Sequence, residues 1–228
     1  PDLIGSDSSG NARVIVEAKF WAELTQNQPG TYLQRLRQQA PGAVLLFTRN
    51  ISPDAGGIIR FIDSAQCAFR ELGGRAPVLF AIDHEGGSVY RTGRATTRLP
   101  SAVSVAERFS DAEAEALYRA SGAELAALGI GLNLAPVAET LTPANAPFLD
   151  DRAYSGDPDR GGAYARAAVR GFRAGSVLVA LKHFPGNAGE DPHKGLPVLS
   201  VGGAEFARLY VAPFRAALRE RADAVLVS

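Results

Sequence analysis

The stretch Val177-Leu178-Val179-Ala180-Leu181-Lys182-His183-Phe184-Pro185-Gly186 reads as a buried strand with a charged tip. Five apolar residues follow one another without alternation, the pattern of a parallel strand covered on both faces. Lys182 and His183 leave the strand on opposite faces or at its tip, and Pro185-Gly186 forces a turn. Four other runs repeat the pattern: AVLLF (43–47), VLFAI (78–82), GLNLA (131–135) and AVLV (224–227). Residues 12–18, with Val14-Ile15-Val16, are a candidate first strand.

Helical stretches lie between these runs. Phe206, Leu209, Tyr210, Pro213, Phe214, Ala217 and Leu218 recur at the spacing of one buried helix face, with a kink or a fresh start expected at Pro213. Ser110, with Glu113 three residues on, is a capping-box start for a helix that ends near Gly129. Residues 59–72, closed by Gly73-Gly74, form another, and a fourth runs from Asp157-Pro158 to near Gly175. Strand and helix in alternation predict an α/β fold with a parallel sheet. No composition shift or linker divides the chain, so residues 1–228 are expected to form one domain.

Composition narrows the function. The 228 residues carry 24 Lys+Arg against 24 Asp+Glu, and this zero net charge argues against a protein that binds nucleic acid by neutralising phosphates. A 46% hydrophobic share with 21% charge is that of a packed chain, not a disordered one. No apolar run approaches the roughly 18 residues needed to span a bilayer. Cys67 is the single cysteine, so no internal disulfide forms. The polar start Pro1-Asp2-Leu3-Ile4 lacks the basic and apolar regions of a signal peptide. A cytoplasmic location is therefore expected, with a periplasmic or secreted one as the alternative if a leader has been removed.

In parallel α/β folds, function gathers at the carboxyl ends of the strands. Here Thr48-Arg49-Asn50, Asp83-His84-Glu85-Gly86-Gly87, the segment 136–139 and Lys182-His183 each follow a strand run, and all three histidines (His84, His183, His193) fall in such segments. Asp191, two residues before His193, is placed to accept a ring N–H, fixing the tautomer and raising imidazole basicity as proton transfer requires. The same residues also admit a loop-anchoring Asp191–His193 hydrogen bond, or a metal held by His183, His193 and a carboxylate, although the spacing matches no standard zinc pattern.

The segment 180–186 (ALKHFPG), with Asp191-Pro192-His193 downstream, resembles the signature of glycoside hydrolase family 3, and within it the bacterial β-N-acetylglucosaminidases. GAVLLFTRN (42–50), AIDHEGG (81–87), Arg91, LPSA (99–102), LGIGLNLAPV (128–137), DRAYSGDP (151–158) and DAVLV (223–227) agree and follow in the family's order. The resemblance covers about residues 40–228 and is specific because several ordered motifs coincide.

The resemblance implies a (β/α)8 barrel, of which this chain would hold about six of the eight strands, ending before the seventh. It implies a retaining glycosidase of cell-wall recycling, acting on terminal β-linked N-acetylglucosamine without a cofactor. His193 would be the acid/base and Asp191 its support, while Asp83, Arg91, Arg152, Lys182 and His183 would hold the sugar. Gly86-Gly87 would let the backbone approach the ligand closely. Three departures stand out. The loop 187–190 is short, Glu139 stands where the family usually has Asp, and the aspartate nucleophile that follows the family's seventh strand is not in this sequence. Asp223 precedes its strand and so sits at the wrong end. The chain alone is thus expected not to turn over a glycoside. A β-glucosidase or β-xylosidase of the same family, and a saccharide-binding relative without a nucleophile, are the rival readings.

Overall fold

The computed structural model describes residues 3–6, 12–16, 43–71, 73, 77–192, 194–195 and 197–227. Five strands, β3 (Ala43–Leu46), β4 (Leu79–Ile82), β5 (Leu132–Asn133), β6 (Leu178–Phe184) and β7 (Ala224–Val227), form one parallel sheet in the order β3-β4-β5-β6-β7. Neighbours in the sheet are also neighbours in sequence. That sequential winding belongs to a barrel, whereas a doubly wound sheet reverses direction at its centre. Among the described residues the sheet is open, with β3 and β7 at its edges, and Val227 is 64% exposed.

The expected first strand is present as β2 (Ala12–Val16), but not in this sheet: it pairs antiparallel with β1 (Leu3–Ser6). Five residues separate the two strands, enough for a hairpin and too few for the crossover that parallel pairing needs.

Each connection in the parallel sheet carries helix. Between β3 and β4 lies α1 (Ala55–Glu71), which starts four residues before the sequence reading placed it. The Gly56-Gly57 pair disguises that start, but the Asp54 carboxylate accepts from Gly57 N at 2.9 Å and caps the first turn. Between β4 and β5 lie α2 (Ala102–Arg108) and α3 (Asp111–Ala127), the latter opened by the expected Ser110/Glu113 capping box. Then come α4 (Ala146–Leu149), a 3-10 turn (Asp150–Arg152) and α5 (Pro158–Ala174), capped by Asp157. The last connection is α6 (Gly203–Phe206), a π turn (Ala207–Val211) and α7 (Ala212–Leu218). Pro213, lacking an N–H, falls in the first turn of α7, where no intrahelical donor is required, and the preceding π turn is the predicted irregularity.

Phe80, Ile82, Leu181, Tyr118, Phe172 and Phe214 fill the core between sheet and helices. Helices α3 and α5 touch closely because Gly171 has no side chain: a Cβ there would sit 2.5 Å from the Glu115 carbonyl oxygen. Strand β6 runs three residues past the apolar run, carried by the Val137–Lys182 bridge and by pairing with β7 that resumes, after an irregularity, at Phe184. Lys182 and His183 therefore sit on a strand, not in a loop. No helix among the described residues is long and apolar enough to cross a membrane.

Candidate active site

Asp83 and Glu85 follow β4 at a spacing of two, so in extended chain they share one side while His84 points to the other. That alternation settles all three residues. On one side, Lys182 Nζ at the end of β6 lies 2.6 Å from Asp83 Oδ1 and 2.6 Å from Glu85 Oε1. Arg152 completes the group through a two-pronged contact, Nε to Glu85 Oε2 at 2.8 Å and Nη2 to Oε1 at 3.0 Å. The Lys182 and Glu85 side chains are only 3% and 4% exposed. Burial pushes the Glu85 carboxyl up, but the Lys182 and Arg152 charges outweigh it and hold Glu85 below the usual carboxylate range. Burial works against the Arg152 charge as well, yet Glu85, Glu139 and Asp83 together raise it further.

On the other side, His84 is wholly buried against Tyr90, with ring centroids 5.0 Å apart, and neither ring nitrogen has a partner among the described residues. Only its backbone is engaged: the Asn133 side chain on β5 accepts from His84 N at 3.0 Å and donates to its carbonyl at 2.9 Å. His84 thus belongs to the core and not to the site. Burial lowers its pKa from 6.5 to about 4, against a weak opposing pull from Glu124. The unfolded chain binds this proton near pH 6.5 and the folded one only near 4, so stability is constant above that window and falls as pH drops through it. About 3 kcal/mol is at stake for a shift of this size. Urea denaturation from pH 7 to pH 4 should show that decline, and His84→Phe should flatten it.

Beside the Lys182 group, Glu139 follows β5. It accepts from His183 Nδ1 at 2.6 Å and from Asn187 N at 2.7 Å. The Lys182–His183 peptide is cis. Phe148, Leu149, Arg152, His183, Asn187, Asp191 and Pro192 line a cavity of about 230 Å³ over these groups. Asp191 enters it from the loop after β6, where its carbonyl accepts from Lys194 N (2.8 Å) and Gly195 N (3.1 Å). His193 lies outside the described residues.

Of the residues singled out in sequence, Asp83, Arg152, Lys182, His183 and Asp191 are brought to one place at the carboxyl ends of β4, β5 and β6. Arg91 makes no hydrogen bond or ion pair to them among the described residues, and its Nε is a buried donor without a partner. Gly86 and Gly87 are required by the backbone itself. Both have positive φ (94° and 56°), and a Cβ would collide with the Pro100 carbonyl at Gly86 and with Ser101 at Gly87, so they seat the loop on its neighbour. Asp223 sits at the opposite end of the sheet, paired with Arg173 and accepting from Val179 N at 3.0 Å. Asn50, after β3, ties its own turn by accepting from Phe47 N at 2.7 Å. Sequence reasoning gave Glu85 no role, although the period of two from Asp83 marks it, and treated Glu139 only as a departure.

Cationic donors and ionised acceptors at the rim of a small cavity with apolar walls (Phe148, Leu149, Pro192) are what a polyhydroxylated ring requires. Comparison with known proteins finds similar chains. β-Hexosaminidase A of Pseudoalteromonas piscicida is 35% identical over 162 residues, 68% of this chain and 27% of that protein. The β-hexosaminidase of Pseudomonas aeruginosa (strain LESB58) is 33% identical over 205 residues, 86% of this chain and 59% of that protein. This chain therefore spans less than two thirds of the length of either relative. Among solved structures, a glycoside hydrolase family 3 β-N-acetylglucosaminidase from Paenibacillus sp. str. FPU-7 superposes with a TM-score of 0.81 at 30% identity, over 86% of this chain and 37% of its own. NagZ from Neisseria gonorrhoeae in complex with N-trifluoroacetyl-D-glucosamine superposes with a TM-score of 0.78 at 27% identity, over 87% and 59%. The model of the glycosyl hydrolase family 3 N terminal domain matches residues 19–228, and with the sequential parallel sheet and its cluster of charges at the strand ends this places the chain in that family.

Proposed function

We propose that this chain is the N-terminal part of a (β/α)8 barrel that removes terminal β-linked N-acetylglucosamine from cell-wall-derived saccharides with retention of configuration. The observation that carries the reading is the buried Asp83–Lys182–Glu85–Arg152 group beside His183, opening on a cavity that Asp191 also lines. Asp83 accepts from sugar hydroxyls, Lys182, Arg152 and Arg91 donate to them, and His183 meets the ring from the β6 side. Glu85 is saturated by Lys182 and Arg152 and acts by holding those two cations in place.

In the first step His193, oriented by Asp191, protonates the departing glycosidic oxygen while a carboxylate attacks the anomeric carbon. In the second, His193 deprotonates a water that releases the sugar. The nucleophilic carboxylate is assigned to the part of the barrel that follows β7, in keeping with relatives longer than the matched stretch.

Matched chromogenic N-acetylglucosaminide and glucoside substrates, offered to the full-length protein, test the reading. The N-acetylglucosaminide is expected to be hydrolysed at least tenfold better in kcat/KM, about the worth of one lost methyl-sized contact. Equal or better use of the glucoside overturns the substrate assignment. Calorimetric binding of N-acetylglucosamine without turnover of either substrate overturns the enzymatic one.

A further inference from the structure

Glu139 is a carboxylate with a 1% exposed side chain, far from a surface role, and its partners come from two different functional parts. One oxygen accepts from His183 Nδ1 at 2.6 Å and lies 3.4 Å from His183 N. The other accepts from Asn187 N at 2.7 Å, with Asn187 Nδ2 at 3.5 Å. His183 lines the cavity, and Asn187 opens the loop that leads to Asp191 and His193.

We propose that Glu139 is a positioning residue that holds the His183 proton on Nδ1, so that Nε2 is the nitrogen offered to the sugar, and that also anchors the root of the acid/base loop. The assignment of Nε2 to a sugar rests on the proposed function; the tautomer does not. A carboxylate only accepts, so a neutral ring facing it must carry its hydrogen on Nδ1. Nε2 of that ring accepts in turn, which selects a ligand hydroxyl able to donate. An amide in place of Glu139 reverses this logic. Asn187 N–H makes the shorter of the two backbone contacts, 2.7 Å against 3.4 Å for His183 N–H, so it takes the amide oxygen and leaves the NH2 group toward His183. The ring must then accept at Nδ1 and carry its hydrogen on Nε2, presenting a donor where an acceptor stood.

Glu139→Gln therefore separates the two duties, because the loop anchor survives and the tautomer inverts. The test is 15N NMR of histidine-labelled full-length protein at about pH 9, above the ordinary imidazole range, with His183→Gln for assignment. A protonated Nδ1 is expected in the parent and in Glu139→Asp, and a protonated Nε2 in Glu139→Gln. KM for the N-acetylglucosaminide, or Kd for N-acetylglucosamine, is expected to rise about tenfold in Glu139→Gln, as one hydrogen bond is lost. Its kcat should change less than about threefold, within the range of a preserved loop anchor, whereas Glu139→Ala should lower kcat as well. A protonated Nε2 in the parent, or an unchanged tautomer in Glu139→Gln, overturns the proposal. If the tautomer inverts but the protein neither binds nor hydrolyses these sugars, the substrate reading fails and the positioning role of Glu139 stands.

Discussion

Replacing Lys182 with methionine is expected to lower the stability of the folded protein by about 3–5 kcal/mol at pH 7, the cost of removing one partner from a buried ion pair. Methionine fills similar space, so the loss is electrostatic. Asp83 and Glu85 would face each other with Arg152 as the remaining cation, and Arg152 is already committed to both oxygens of Glu85. The measurement is urea denaturation of parent and variant over a range of pH. In the parent, Glu85 titrates below the usual carboxylate range, so it contributes stability above its unfolded pKa and loses it as pH falls through the depressed folded value. In Lys182→Met that contribution is reduced to what Arg152 supplies, so the two curves should converge toward low pH. A double-mutant cycle with Glu85→Gln should return a coupling of about 1–3 kcal/mol, as expected for residues of one network. A gap of less than about 1 kcal/mol at pH 7 would place the group among surface pairs of little consequence. Hydrolysis by the full-length Lys182→Met protein should fall as well, because Asp83 loses the ammonium that orients it.

The second large effect is expected at the proposed acid/base. His193→Ala in the full-length enzyme should lower kcat for substrates with poor leaving groups by about 10²–10⁴, the usual contribution of general acid–base catalysis. Substrates whose leaving group departs without a proton should lose far less in the glycosylation step, because only the deglycosylation step then lacks its base. Asp191→Asn should fall between parent and His193→Ala, since it leaves the imidazole but withdraws its carboxylate. Equal losses across leaving groups of widely different acidity would remove His193 from the role of acid.

Apolar runs at 43–47, 78–82 and 177–181, and the run at 131–135 interrupted only by Asn133, announce the parallel sheet, because strands covered by helices carry few polar positions. The ends of elements were less legible. Asp54 caps α1 ahead of two glycines, which are poor helix formers, and β6 continues through Lys182 and His183 because β5 and β7 supply partners that no local pattern reveals. The antiparallel pairing of β2 depends on a short connection to β1, a strand without a distinctive run of its own. In the site, Asp83, Arg152, Lys182 and His183 were visible through motif resemblance, and the structure brings them together. Glu85 went unassigned although its parity with Asp83 marks it, and His84, the more conspicuous residue, faces the core for the same reason of parity. The grip of Glu139 on His183 joins two strands' ends and leaves no trace in either segment alone.

The Lys182–Asp83, Arg152–Glu85 and His183–Glu139 contacts link residues 99, 67 and 44 positions apart. On a ribosome that adds about 5–20 residues per second, Asp83 and Glu85 are made roughly 5–20 seconds before the lysine that neutralises them. Arg152 follows Glu85 sooner, so through the rest of that interval Asp83 is the carboxylate still without its cation. The charged group is complete only once β6 is laid beside β5, so the sugar binding proposed for it would report the arrival of that strand.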